Sequence, residues 1–132
     1  PSGVSIVRNT LTLVKKGDHM ICIDQAYGGT LETLRDVAPE RYGIDVSFVD
    51  FRNEEAFKGA FKENTKMVWF ESPTNPLMRV IDIEYICKIA KEHNCLTVFD
   101  NTFMTPYLCN PVKLGVDIVW HSATKYLGGH SD

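Results

Sequence analysis

The sequence predicts an α/β domain built on a mostly parallel sheet with helices on both faces. Three observations carry that prediction. Five short runs of apolar, β-branched and aromatic residues recur at positions 20–23 (MICI), 46–49 (VSFV), 67–70 (MVWF), 96–99 (LTVF) and 117–120 (DIVW), the composition of strands. The runs are nearly continuous rather than alternating, as expected of strands covered on both faces in a parallel sheet. The connections between them run to about 20 residues and mostly carry helical periodicity, enough chain for a helical crossover between parallel strands.

In chain order, the first element is a helix over VSIVRNTLTLVKK, opened at Ser2-Gly3 and closed by basic residues and Gly17. The strand MICI follows, then QAYGGT, in which Gly28-Gly29 predicts a turn. After VSFV, Asn53 caps a weaker helix through Ala56, Ala60 and Phe61. The clearest helix lies between MVWF and LTVF: Asp82 is its N-cap, Ile83, Ile86, Ile89 and Ala90 form one stripe, and Asn94 ends it. No repeat, low-complexity tract or interdomain linker interrupts this order, so one domain is expected.

The 132 residues suffice for one small domain with a real core. The 14 basic and 17 acidic residues give a net charge of −3 with neither sign gathered into a block, which leaves nucleic-acid or membrane-surface binding without electrostatic support. A small polar ligand suits the chain better. No apolar stretch approaches the roughly 20 residues needed to cross a bilayer, and no signal-peptide pattern opens the chain, so a cytoplasmic location is expected. Cys22, Cys87, Cys95 and Cys109 show neither CxxC pairing nor metal-like spacing with the histidines; they are expected to be reduced thiols, with no metal site.

Ligands of open α/β sheets bind beyond the carboxyl ends of the strands, so the residues at those exits matter most. They are Asp24, Asp50, Glu71, Asp100 and His121-Ser122. Asp24 and Asp50 are most simply structural, because strands end where water begins. Asp100 and Glu71 are each followed by a turn of their own, DNTFMTP and ESPTNP, rich in loop-fixing residues. Past the last strand stands Lys125, between the hydroxyls of Ser122 and Thr124 and the glycines 128 and 129. A solvated surface charge is the ordinary role for such a lysine. Desolvated at a strand exit, it would instead be an amine able to form an imine with a carbonyl.

The groups at these exits complement one cofactor. The helix N-terminus at Ser2-Gly3, with Ser122 and Thr124, offers a phosphate cradle; Asp100 offers a carboxylate for a heteroaromatic nitrogen; Lys125 offers an amine for an aldehyde. Phosphate, pyridine nitrogen and aldehyde together describe pyridoxal 5′-phosphate (PLP). Tyr27 supplies either a flat face for the ring or merely a half-buried tyrosine beside the turn. No GxGxxG follows a strand, so a dinucleotide is not indicated.

QAYGGT, ESPTNP, FDNTF and HSATKYLGGHSD, in this order, resemble the Cys/Met metabolism family of fold-type I PLP enzymes, the cystathionine γ-lyases most of all. The similarity covers essentially the whole chain and the central part of a family member. It implies that residues 1–132 are a portion of the large PLP-binding domain of a longer protein, with an N-terminal segment and a C-terminal small domain outside it. It further implies that Lys125 carries the cofactor as an imine and shuttles protons. Asp100 pairs with the ring nitrogen, Tyr27 stacks on the ring, and Asn75 bonds near the ring hydroxyl and substrate. Ser122, Thr124 and the backbone N–H groups of Gly3 and Val4 hold the phosphate. The implied reaction is the γ-elimination of cystathionine to cysteine, 2-oxobutanoate and ammonia in a homotetramer. A cystathionine γ-synthase, a β-lyase or a silent truncated binding domain are the alternatives. The 132-residue chain alone is expected to be nearly inactive, lacking the partner-subunit phosphate contacts and carboxylate-binding arginine implied by the resemblance. Where the γ-lyases usually have an arginine two positions after YGGT, this chain has Leu31-Glu32, and an acidic group there would reverse the local charge preference. Ser5 and Ile6 stand where the family tends to have alanines.

Overall fold

The computed structural model describes residues 2–131 and shows five parallel strands in the order β2-β1-β3-β4-β5. They are β1 His19–Ile23, β2 Asp45–Val49, β3 Thr65–Glu71, β4 Leu96–Asp100 and β5 Ile118–Trp120. Each predicted run lies in a strand, although Asp117 stays outside β5, where its carboxylate accepts from Thr97 N–H and Oγ1–H, both at 2.8 Å. Complete burial on both faces holds for β1 but not for β2, an edge strand whose residues are half-buried or exposed.

Helices cover both faces. On one, α3 (Glu54–Gly59) and α4 (Ile83–Glu92) pack Phe57, Ile86, Ile89 and Ala90 against Ile21, Val68, Phe70 and Phe99. Asn53 and Asp82 cap these helices as expected, accepting from Ala56 N–H and Tyr85 N–H, both at 3.0 Å. The other face meets α1 (Gly3–Thr10) and α2 (Gly28–Glu32), with Val7, Leu11 and Leu34 against Met20, Met67, Trp69 and Trp120. Two short helical turns lie between β4 and β5: α5 (Thr105–Leu108) and a 3-10 turn at Pro111–Leu114.

Two segments depart from the sequence expectation. The first helix stops at Thr10 and tightens into a 3-10 turn at Leu11–Leu13, well before Gly17. Thr10 and Thr12 hydroxyls donate back to the carbonyls of Val7 and Asn9, both at 2.7 Å, which competes with helix propagation. The second departure is at Gly28-Gly29, which begins a helix instead of a turn; α2 continues as wide π-helical turns over Thr33–Tyr42. Pro39 weakens an α-helical reading of that segment, yet burial of Thr30, Leu34 and Ala38 against the sheet holds it helical.

At the amino edge of the sheet, buried His19 ties three strands together, its ring nitrogens 2.8 Å from Thr65 Oγ1 and 2.9 Å from Ser47 Oγ. Burial pushes this imidazole down, in keeping with a neutral ring between two hydroxyls. The carboxyl edge is left for the site. The core face of α4 makes a direct test of the packing: Ile86→Ala is expected to cost about 2–5 kcal/mol in urea unfolding, whereas substitution of exposed Lys88 should change stability by less than about 0.5 kcal/mol.

Candidate active site

Because the strands are parallel, every strand exit lies on one edge, and the chain runs from β1 to β2 on one side and from β2 back across β1 to β3 on the other. Such a switch point opens a crevice between neighbouring strand ends. Here the crevice is a pocket of about 370 Å³ lined by residues that include Gly3, Val4, Tyr27, Glu71, Asn75, Asp100, Ser122, Thr124 and Lys125. All eight residues singled out from the sequence therefore meet in one place, drawn from five separate segments.

Register explains the two carboxylates. Glu71 and Asp100 are paired positions on β3 and β4, at the last residue of each strand. Both are nearly buried, at 5% and 8% exposure. Asp100 Oδ1 accepts from Thr102 N–H at 2.9 Å and from the Thr102 hydroxyl. That hydroxyl oxygen in turn accepts from Ser122 N–H at 2.8 Å. Thr102 thus fixes the carboxylate on β4 and the loop leaving β5 with one group, while Asp100 Oδ2 forms no hydrogen bond among the described residues. Burial raises the Asp100 carboxyl, partly offset by the Thr102 bonds. An anion in this position gains from a cation placed against it.

The pocket wall at the start of α1 is narrow. A Cβ on Gly3 would stand 3.1 Å from the Trp120 ring and 3.3 Å from Ser122 Oγ. Ser122 Oγ and Thr124 Oγ1 lie 3.0 Å apart, and Ser5 Oγ reaches back to Ser2 N–H at 3.4 Å, steadying the start of α1. Hence Ser5 leaves the helix opening intact. Gly29 makes a second close approach, since a Cβ there would sit 2.8 Å from Tyr27 Cε1 and 3.0 Å from Val4 Cγ2. Only glycine lets the Tyr27 ring and α1 close on this side.

Lys125 lines the pocket from a run of turns after β5, in which its own carbonyl accepts from Gly129 N–H at 2.7 Å. It is exposed, so the desolvation expected from its place after a buried strand is not provided by these residues. Turn residues, unlike strand residues, carry the lysine out past the sheet. Tyr27 is 46% exposed, with its ring open to a ligand rather than packed in the core. Glu32 is exposed and does not line the pocket.

The remaining strand exits are structural. Arg52 binds Asp50 through two nitrogens, at 3.0 and 2.7 Å, and holds its carboxyl down at about 2. Arg79 reaches Asp50 at 3.4 Å and Asp24 at 3.7 Å. Two features of the pocket were not singled out from the sequence: the Thr102 relay and the hydrogen bonds of Glu71. FDNTF contains the first, but its donor is the amide of Ser122, 20 residues away. No group of three or more His, Cys, Asp or Glu side chains suited to a metal occurs among the described residues, and the four cysteines are free thiols. Among the described residues, no helix is long and apolar enough to cross a membrane.

The residues present fit PLP: a hydroxyl-lined cradle that a Cβ would fill, a buried carboxylate with a spare oxygen, an amine and an aromatic face around one cavity. Comparison with known proteins agrees. The family described as Cys/Met metabolism PLP-dependent enzyme matches residues 1–132. A cystathionine beta-lyase of Lactococcus lactis subsp. cremoris is 54% identical over 131 residues, covering 99% of this chain and 34% of that protein. A putative cystathionine gamma-lyase 2 of Caenorhabditis elegans is 47% identical over 133 residues, again 99% of this chain and 34% of the relative. The crystal structure of cystathionine gamma-lyase from Lactobacillus plantarum complexed with L-serine superposes with a TM-score of 0.94 at 43% identity, over 99% of this chain and 34% of that one. The chain thus spans about a third of the length of these relatives.

Thr102→Val is expected to leave the Ser122 amide and Asp100 without their shared partner, lowering stability by about 1–3 kcal/mol in urea unfolding. Glu71 gives a pH signature: burial, with help from Asp100, raises its carboxyl to about 7 from an ordinary 4.5. The folded state therefore favours the protonated form, and the stability this contributes is present at low pH and lost as pH rises through about 7. Glu71→Gln should abolish that component, so the stability of the native protein relative to the variant should fall between pH 5 and pH 8.

Proposed function

From the premise that this chain belongs to the Cys/Met metabolism family of PLP-dependent enzymes, we propose that the whole protein is a carbon–sulfur lyase that splits L-cystathionine by γ-elimination and, with one water, yields cysteine, 2-oxobutanoate and ammonia. The observation that carries this reading is the convergence of Lys125, Asp100, Tyr27, Asn75, Ser122 and Thr124 from separate segments on a single pocket. PLP, when bound, supplies an electron sink for negative charge at the α-carbon of an amino acid.

The chain's own residues divide the remaining work. Ser122 and Thr124 hydroxyls and the N–H groups of Gly3 and Val4 bind phosphate oxygens, helped by the dipole of α1. Asp100, steadied by Thr102, holds a proton on the ring nitrogen, and a carboxylate in a buried site does so more effectively than one in water. Tyr27 would face the ring, and the Asn75 amide would bond near the ring hydroxyl and the substrate. Lys125 would hold the cofactor through its aldehyde; its Nζ, once free, would take the α-proton of the substrate, and after a β-proton is also lost it would protonate the sulfur leaving from the γ-carbon, acting as base and acid in turn. A homotetramer in the cytoplasm and sulfur amino acids as substrates belong to the same proposal.

A β-elimination to pyruvate is the second reading, supported by the 54% identical Lactococcus relative named a cystathionine beta-lyase. A synthase is the third, supported by a relative in Herpetosiphon aurantiacus named a probable cystathionine gamma-synthase, 44% identical over 131 residues. The full-length protein supplied with cystathionine alone is expected to release 2-oxobutanoate; pyruvate would establish β-elimination, and turnover only with an activated homoserine plus cysteine would establish a synthase. Borohydride reduction is expected to fix PLP onto Lys125, and Lys125→Ala should lose both the fixed label and at least about a thousandfold in rate, the scale of losing a nucleophile and proton carrier together. The 132-residue chain alone should turn over little.

A further inference from the structure

The pocket contains a carboxylate to which the reaction above assigns no task. Glu71 ends β3 with its oxygens pointing to two different loops: Oε1 accepts from Asn75 N–H at 2.8 Å and Oε2 from Tyr27 N–H at 3.2 Å. Asn75 belongs to the loop after β3, and Tyr27, 44 residues earlier than Glu71, to the loop after β1. The other polar tie between these loops among the described residues is the longer Asp24–Arg79 ion pair at 3.7 Å. A carboxylate suits such a double task because each of its oxygens is an acceptor, whereas an amide offers one acceptor and one donor.

We propose that Glu71 is a positioning residue, whose carboxylate clamps the Tyr27 and Asn75 loops to each other and so sets the width of the slot between the aromatic face and the Asn75 amide. What the slot holds rests on the PLP reading; the clamp itself rests on the two hydrogen bonds. Position and burial support it. Glu71 is 5% exposed and in register with Asp100, so it is costly to keep there as an anion. The carboxylates that follow β1 and β2 are instead paired with arginine, Asp24 with Arg79 and Asp50 with Arg52, and neither ties the Tyr27 amide to the Asn75 amide. Among the described residues, the charged or titratable groups facing Glu71 are Asp100 on β4, Cys22 on β1 and Tyr27 after β1, with Lys125 after β5 lining the same pocket. Burial and the like charge of Asp100 raise its carboxyl to about 7. Around neutral pH the clamp therefore moves between a carboxylate with two full acceptors and a carboxyl group with a weaker second one.

The test uses the full-length protein with Glu71→Ala and Glu71→Gln, and Arg52→Ala as a control outside the pocket. In the cofactor-free form, hydrogen exchange resolved at the Tyr27 and Asn75 amides should quicken by about tenfold in Glu71→Ala, with exchange in the interior of β1 and β3 unchanged. The dissociation constant for PLP should rise about tenfold in the same variant. Glu71→Gln should keep one of the two amides protected and flatten the pH dependence of PLP binding between pH 6 and pH 8, while Arg52→Ala follows the native protein. Unchanged exchange at both amides in Glu71→Ala overturns the proposal. So does an equal loss of protection throughout β3, which would make Glu71 a general structural residue. If the native protein binds no PLP, the cofactor reading fails, and the exchange measurement, which needs no cofactor, still decides the clamp.

Discussion

Everything at the site depends on the strands running the same way. A parallel sheet delivers all its exits to one edge, and there the chain has carboxylates at the ends of four strands: Asp24 after β1, Asp50 after β2, Glu71 and Asp100. Four like charges along one edge repel, and the fold resolves this in two ways. On the β1–β2 side, Arg79 and Arg52 neutralise Asp24 and Asp50. On the β3–β4 side no arginine intervenes, and the carboxylates are held by hydrogen bonds from Thr102, Asn75 and Tyr27 instead. The half of the edge that lines the pocket is the half that withdraws its carboxyl groups from water and holds them by hydrogen bonds.

That arrangement joins packing to chemistry. Burial of Glu71 and Asp100 raises both carboxyls, an energetic cost that a protonated ring nitrogen in the pocket would offset. The same close packing shapes the walls. Gly3 and Gly29 leave room that any Cβ would fill, the first beside Ser122 and Trp120, the second beside Tyr27 and Val4. Helix α1 can then bring its free amides to the pocket while its Val7 enters the core beneath.

Much of this was legible in the residues. The five strands, the caps Asn53 and Asp82 and the stripe on α4 follow from local composition and periodicity, because neighbouring side chains along the chain decide them. The helix from Gly28 was not legible: two glycines and Pro39 argue against it locally, and only burial of Thr30, Leu34 and Ala38 on the sheet outweighs them. The early end of α1 is decided within the segment by threonine hydroxyls, a weak signal beside the lysines and Gly17 that follow.

The sequence by itself determined the fold class and pointed to residues that line one pocket, since strand exits can be found from where apolar runs stop, and their motifs identify the cofactor. Tertiary structure alone decided how those residues are used. Which carboxylates are neutralised, and which remain for a ligand, depends on the lateral order of strands and the reach of Arg79 across the edge. The pairing of Glu71 with Asp100 depends on register between β3 and β4, and the Thr102 and Glu71 bonds span 20 and 44 residues. Contacts of that kind form only when the packed sheet has brought distant segments together, and no local pattern in the chain encodes them.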